Sequence, residues 1–233
     1  MKDRIVAKLM DMLAPGIDRR VPRLIFNHEA AARLQALAEG AAWAAADMKG
    51  AVACDRKNEV RSHALAAAPA EGLVLEFGVW SGKTINMIAD HVGAGREVHG
   101  FDSFEGLPED WFGKYVKGRF HTGGTLPEVR DNVRLHKGWF NETLPPFLES
   151  HPGSVAFVHV DSDLYSSAKT IFDSLGDRLV PGSVILFDEY FNYPGWQEHE
   201  HRAFRELVEE RRLRYQWLAY NQVEWNAAVQ IIA

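Results

Sequence analysis

Cysteine is nearly absent: Cys54 is the only one in 233 residues. No intrachain disulfide can form, so stability must come from an apolar core, and the sequence points to a reducing, cytoplasmic compartment. No apolar run is long enough to cross a bilayer, and the opening MKDRIVAKLMDMLAPG scatters charges among its apolar positions. Both features argue against a membrane span or a secretory leader. A basic excess is missing too. The formal net charge of -6 disfavours a phosphate-backbone partner such as nucleic acid, and the cluster Arg19, Arg20 and Arg23 reads as solvated surface. Internal repeats and low-complexity tracts are also lacking.

What remains is globular: 46% hydrophobic residues and 25% charged ones, in a length that suits one α/β domain with a small cap. The chain is organised around residues 73–84, LVLEFGVWSGKT. Leu73, Val74 and Leu75 form an unbroken apolar run, as in a strand buried on both faces of a parallel sheet. The run ends at Glu76 and breaks into a turn carrying Gly78 and Gly82, and a helical pattern follows from about Lys83. Two glycines and free helix N–H groups make a ligand cradle, although an ordinary tight β-to-α connection accounts for them as well.

Residues 1–70 contain no strand-like stretch but show alanine-rich helical spacing, as in AARLQALAEGAAWAAADM, broken by Pro15, Gly16 and Pro22. Several short cap helices are expected there, with a last helix over roughly 56–68. After the glycine turn, EVHGFD reads as a second strand ending at Asp102, 24 residues beyond Gly78. An acidic group at that place accepts hydrogen bonds from ribose hydroxyls, or else caps the next helix. Residues 103–132 are a long aromatic, glycine-rich loop of the kind that forms lids. VRLHKGWF follows as a third strand, with Trp139 and Phe140 available either to cover an adenine or to pack in the core.

Two further strands, Val155–Val160 and Val184–Phe187, each end in acids: Asp161 and Asp163 after the first, Asp188 and Glu189 after the second. Ligands bind at that rim of an open α/β sheet, and crowded carboxylates call for a hard divalent cation, a shared proton or hydration. The triplet containing His199 and His201 reads as solvated or substrate-facing rather than as a metal pair. The tail, LRYQWLAYN then WNAAVQIIA, reads as a hairpin supplying an antiparallel sheet edge.

In order, EFGVWSGKT, FDSFEGLPE, KGWFNETLP, HVDSDLY and PGSVILFDEY resemble the class I S-adenosylmethionine-dependent methyltransferases, in particular the macrocin O-methyltransferase-like group. The likeness spans roughly residues 72–233. It implies a doubly wound, seven-stranded, mostly parallel Rossmann-like sheet with a C-terminal antiparallel hairpin, in a domain of residues 71–233 behind an N-terminal helical cap of residues 1–70. It also implies methyl transfer to a hydroxyl of a sugar or natural product, and possible homodimerisation. By resemblance, Glu76, Gly78 and Gly82 hold the cofactor's methionine end, Asp102 its ribose, and Ser103 with Trp139 its adenine. Asp161, Asp188 and Glu189 would bind Mg²⁺, with Asp161 or Asp163 taking the hydroxyl proton. The family has a second aspartate where Glu189 stands. Three other readings stay open: a non-catalytic S-adenosylmethionine-binding protein, an NAD-dependent oxidoreductase lacking the third glycine of its fingerprint, and a glycosyltransferase using Asp161 and Asp163.

Overall fold

The computed structural model describes residues 27–233. Short helices expected before residue 27 lie outside that range. The described chain opens with α1 (His28–Asp47), β1 (Val52–Cys54) and α2 (Lys57–Ala67). It continues through β2 (Leu73–Phe77), α3 (Lys83–Val92), β3 (Val98–Asp102), β4 (Val133–Lys137), α4 (Phe140–Ser150), β5 (Val155–Val160) and α5 (Tyr165–Leu175). β6 (Val184–Phe187), α6 (Glu200–Arg211), β7 (Tyr215–Asn221) and β8 (Ala227–Ile231) complete it. No helix of the described residues is long and apolar enough to cross a membrane.

All eight strands join one sheet in the order β1-β7-β8-β6-β5-β2-β3-β4. Only the pairings of β8 are antiparallel. The side chains of the central strands alternate between two cores. Leu75, Phe77, Val158, Val160, Ile185 and Phe187 pack with α1, α4, α5 and α6 on one face. Val74, Phe157, Val184 and Leu186 pack with α2 and α3 on the other. Burial on both faces is why these strands read as continuous apolar runs. β2 lies between β3 and β5, so the strand order reverses beside it and opens a crevice at the carboxyl ends.

Two expectations fail at the sheet edge. Residues 1–70 do contain a strand, since β1 pairs in parallel with β7 from Val52 opposite Ala219 to Cys54 opposite Asn221. Three residues, two of them exposed, are too few to show an alternation. The hairpin therefore lies inside the sheet, with β8 between β6 and β7 and β1 at the border. The alanine-rich segment is also a single 20-residue helix, capped by Asn27 Oδ1 accepting the Ala30 N–H at 2.8 Å.

Gly40 sets how closely α1 approaches the sheet's helical layer. A Cβ there would collide with the side chain of Asn192, whose Nδ2 donates to the Glu224 carbonyl at 3.0 Å. Gly40→Ala gains about 1 kcal/mol of helix propensity but overpacks this contact by roughly 1–3 kcal/mol. We expect net destabilisation, read as a lower urea midpoint; a raised midpoint would show that α1 does not need this close approach.

Candidate active site

A cavity of about 620 Å³ opens at the carboxyl ends of the central strands. The turn from Gly78 to Thr84 lines one side, and Asp102, Ser103, Trp139 and Phe140 line the next. Asp161, Asp163, Asp188 and Glu189 lie on the rim, and Trp111, Tyr115 and Phe120 reach over from the long loop. That loop has neither helix nor strand but is tied to itself, with the Leu107 N–H donating to the Arg119 carbonyl and the Gly118 N–H to the Leu107 carbonyl, both at 2.9 Å.

Gly78 has φ +91, and a Cβ on it would collide with the backbone carbonyl of Asp161. The neighbouring strand end thus demands glycine whether or not a ligand is bound. Gly82 caps α3 in the left-handed region, φ +75, where glycine is unstrained. Asp102 is bound to the turn itself. Its Oδ2 accepts the N–H groups of Val79 (2.9 Å) and Trp80 (2.8 Å), and its Oδ1 accepts that of Phe104 (2.6 Å). One carboxylate so fixes the glycine turn against β3, with lone-pair capacity left for a further donor. Trp80 holds φ +44 with its side chain about half exposed, edge-on to Phe120.

Glu76 does not line the cavity. It is fully buried beneath it, 3.6 Å from Nδ1 of His159, and neither carboxylate oxygen has a hydrogen-bond partner. Burial pushes its pKa up, against the pull of His159. On its other side His159 Nε2 lies 3.6 Å from Asp188. Burial opposes charging His159, but Asp188 and Glu76 overcome it and raise its pKa to about 10. We assign the imidazolium's charge to its pairing with Asp188, because Asp188 is far better supported as an anion than Glu76. Asp188 Oδ1 accepts from Arg61 (2.7 Å) and Asn226 (2.7 Å), and Oδ2 from Lys57 (3.2 Å). Burial works against its ionised form, yet His159, Arg61 and Lys57 hold the Asp188 carboxyl well below the usual range.

The other acids behave oppositely. Burial first, and neighbouring carboxylates second, raise Asp161 and Glu189 well above their usual values and bring Asp163 to about 7. One carboxylate oxygen from each of Asp161, Asp163 and Glu189 falls within 4.8 Å of the others, as do the ligand atoms of His159, Asp161 and Asp188. Either group has the oxygen-rich character that a hard cation takes. Glu189 Oε2 is buried with no partner.

Several site residues were missed in sequence. Lys57, Arg61 and Asn226 carry no local signal for pairing with a residue as distant in the chain as Asp188. Glu200 lies between the two histidines of EHEH, with nothing local to mark it; it is fully buried and accepts from the Ser162 N–H at 3.1 Å and its hydroxyl at 3.3 Å. His199 and His201 are half-buried and do not line the cavity, contrary to expectation. His201 packs against Trp43, Tyr190 and Trp196, and His199 against Trp111 and Tyr193. His201 lies three residues before the buried Phe204 on α6, and His199 is the residue that precedes the helix.

A doubly wound sheet with an inserted antiparallel strand, a glycine turn at the switch point and an acid at the end of the next strand define the class I methyltransferase architecture. Residues 75–190 match the family model described as a methyltransferase domain. A tetracenomycin-type rhamnosyl 4'-O-methyltransferase of Streptomyces olivaceus is 34% identical over 141 residues, 51% of this chain and 53% of that protein. The demethyldecarbamoylnovobiocin O-methyltransferase of Streptomyces niveus is 28% identical over 163 residues, 60% of this chain and 61% of that protein. The chain thus spans little more than half the length of these relatives. The crystal structure of the calicheamicin methyltransferase CalS11 superposes with a TM-score of 0.58 at 20% identity, covering 97% of this chain and 90% of that one. That likeness speaks for the fold alone.

Proposed function

We propose that this protein is an S-adenosylmethionine-dependent O-methyltransferase acting on a hydroxyl of a small sugar-bearing or natural-product acceptor. The observation that carries the reading is one cavity that joins the glycine turn and Asp102 to the acid cluster of Asp161, Asp163 and Glu189. The sugar and natural-product acceptors in the relatives' names support it. So does the cavity's wall of Trp111, Tyr115, Phe120 and Trp225, which suits the apolar face of a sugar or a planar ring.

The turn at Gly78 and the N-terminus of α3 would receive the methionine end of the cofactor, Asp102 the ribose, and Ser103 and Trp139 the adenine. Glu76, buried beside His159 and outside the cavity lining, is left out of this set. Methyl transfer forms an O–C bond and breaks the C–S⁺ bond, whose electron pair neutralises the sulfonium. Alignment of donor and acceptor in the cavity can supply roughly 7–11 kcal/mol of the barrier reduction. The hydroxyl proton must then leave an oxygen whose pKa is about 10 for a phenol and higher for an alcohol. Asp163, with its pKa near 7, is suited to accept it, with Asp161 beside it on the same strand end. Asp161, Asp163 and Glu189 also fit a hard cation; Mg²⁺ there would itself lower the hydroxyl's pKa as it lowers that of bound water, and Asp163 would then serve as a ligand in place of acting as the base.

Calorimetric titration with S-adenosylmethionine and separately with NAD⁺, each in Mg²⁺ and in EDTA, tests the cofactor. Micromolar binding of the first and none of the second is expected. Binding of NAD⁺ instead, or of neither, would return the glycine turn to a plain structural connection.

A further inference from the structure

Helix α2 precedes the matched methyltransferase segment, yet it sends two cations to the cavity rim. Lys57 and Arg61 are four residues apart and so share one helical face. The Arg61 side chain is only 9% exposed; Nη2 donates to Asp188 Oδ1 at 2.7 Å and Nη1 to Asn58 Oδ1 at 3.2 Å. Lys57 takes the other Asp188 oxygen, and Asn226 holds both the Asp188 carboxylate (2.7 Å) and its backbone carbonyl (2.9 Å). With His159 alongside, the charge and most of the lone pairs of Asp188 are spent. By contrast, no described residue donates a hydrogen bond to the carboxylates of Asp161, Asp163 or Glu189, and the unpartnered Oε2 of Glu189 is buried among them. Two adjacent acidic groups thus differ in kind: Asp188 is hydrogen-bonded by protein cations, whereas Asp161, Asp163 and Glu189 receive no hydrogen bond from a described residue, and of them only Asp161 has His159 near it.

We infer that Arg61, backed by Lys57, is a positioning residue that fixes Asp188 as a permanent protein-paired anion, leaving Asp161, Asp163 and Glu189 to ligate the cation. Asp188, placed among the ligands by family resemblance, is then an anchor for His159 and the strand end and not a ligand. The longer Glu189 side chain serves this set. It reaches the Asp161 and Asp163 carboxylates within 4.8 Å. The inference rests on the proposed cation site, and it can fail separately from that site.

The test is Mn²⁺ binding, followed by calorimetry and by the metal's paramagnetic spectrum, on protein saturated with S-adenosylhomocysteine. Asp188→Asn is expected to leave the Mn²⁺ Kd within about threefold, whereas Asp163→Asn and Glu189→Gln weaken it about tenfold or more. Arg61→Met frees Asp188 towards the cluster and tightens Mn²⁺ by about fivefold or more; Arg61→Lys restores the wild-type value, which a mere packing role would not produce. In unfolding, Arg61→Met combined with Asp188→Asn is expected to be at least about tenfold more favourable in equilibrium constant than the two single effects added, because the pair is removed together. Loss of Mn²⁺ binding in Asp188→Asn with retention in Asp163→Asn overturns the inference, as does simple additivity of the pair. Absence of Mn²⁺ uptake by the wild type overturns the cation site itself, and the inference with it.

Discussion

Asp161→Asn is expected to lower kcat/KM for the acceptor by about 10²–10⁴-fold while the Kd for S-adenosylmethionine stays within about threefold. Asp161 directly follows β5 at the point where the cavity meets the acid cluster, and its backbone N–H donates to the Phe77 carbonyl. The substitution keeps size and shape and leaves that backbone bond in place, so the cofactor floor should survive. It replaces one carboxylate oxygen of the group that Asp161 forms with Asp163 and Glu189 by an amide, which neither ligates a hard cation as well nor accepts a proton. Activity within threefold of wild type would remove Asp161 from the chemistry.

Gly78→Ala is expected to cost about 3 kcal/mol or more of stability, from overpacking added to a left-handed backbone. Here the obstacle is the Asp161 carbonyl, a backbone atom that cannot rotate aside as a side-chain tip would. Thermal unfolding should fall by roughly 6–12 °C in a chain of this size. Gly195→Ala is the control. Gly195 also has positive φ, +81, but nothing lies within 4 Å of its added Cβ, so about 1 kcal/mol of conformational strain is all that is expected. Equal losses in the two variants would show that the strand-end collision is relieved at no cost.

The parts of the fold legible in sequence are those set by local patterning. β2, β5 and β6 are apolar runs because both sheet faces are covered, and β5 and β6 are each followed by two acids where the strand's carboxyl end opens on the cavity. β1 was not legible, because three residues paired with a strand near the other end of the chain leave no periodic trace. The same limit governs the site. Asp102, Asp161, Asp163, Asp188 and Glu189 could be found because a turn or strand end announces them. Arg61 and Lys57 could not, since they meet Asp188 only through the packing of α2 on β6, β7 and β8. Charge compensation across 127 residues is a tertiary property, and it separates one carboxylate of the rim from the other three.

The most direct measurement is release of S-adenosylhomocysteine, followed against a panel of glycosides and phenols in Mg²⁺, in EDTA and with Asp161→Asn. Methyl transfer to a hydroxyl acceptor that falls in EDTA and collapses in the variant is the expected result. Tight uptake of S-adenosylmethionine with no S-adenosylhomocysteine released to any hydroxyl would contradict it and leave a cofactor-binding protein in place of an enzyme.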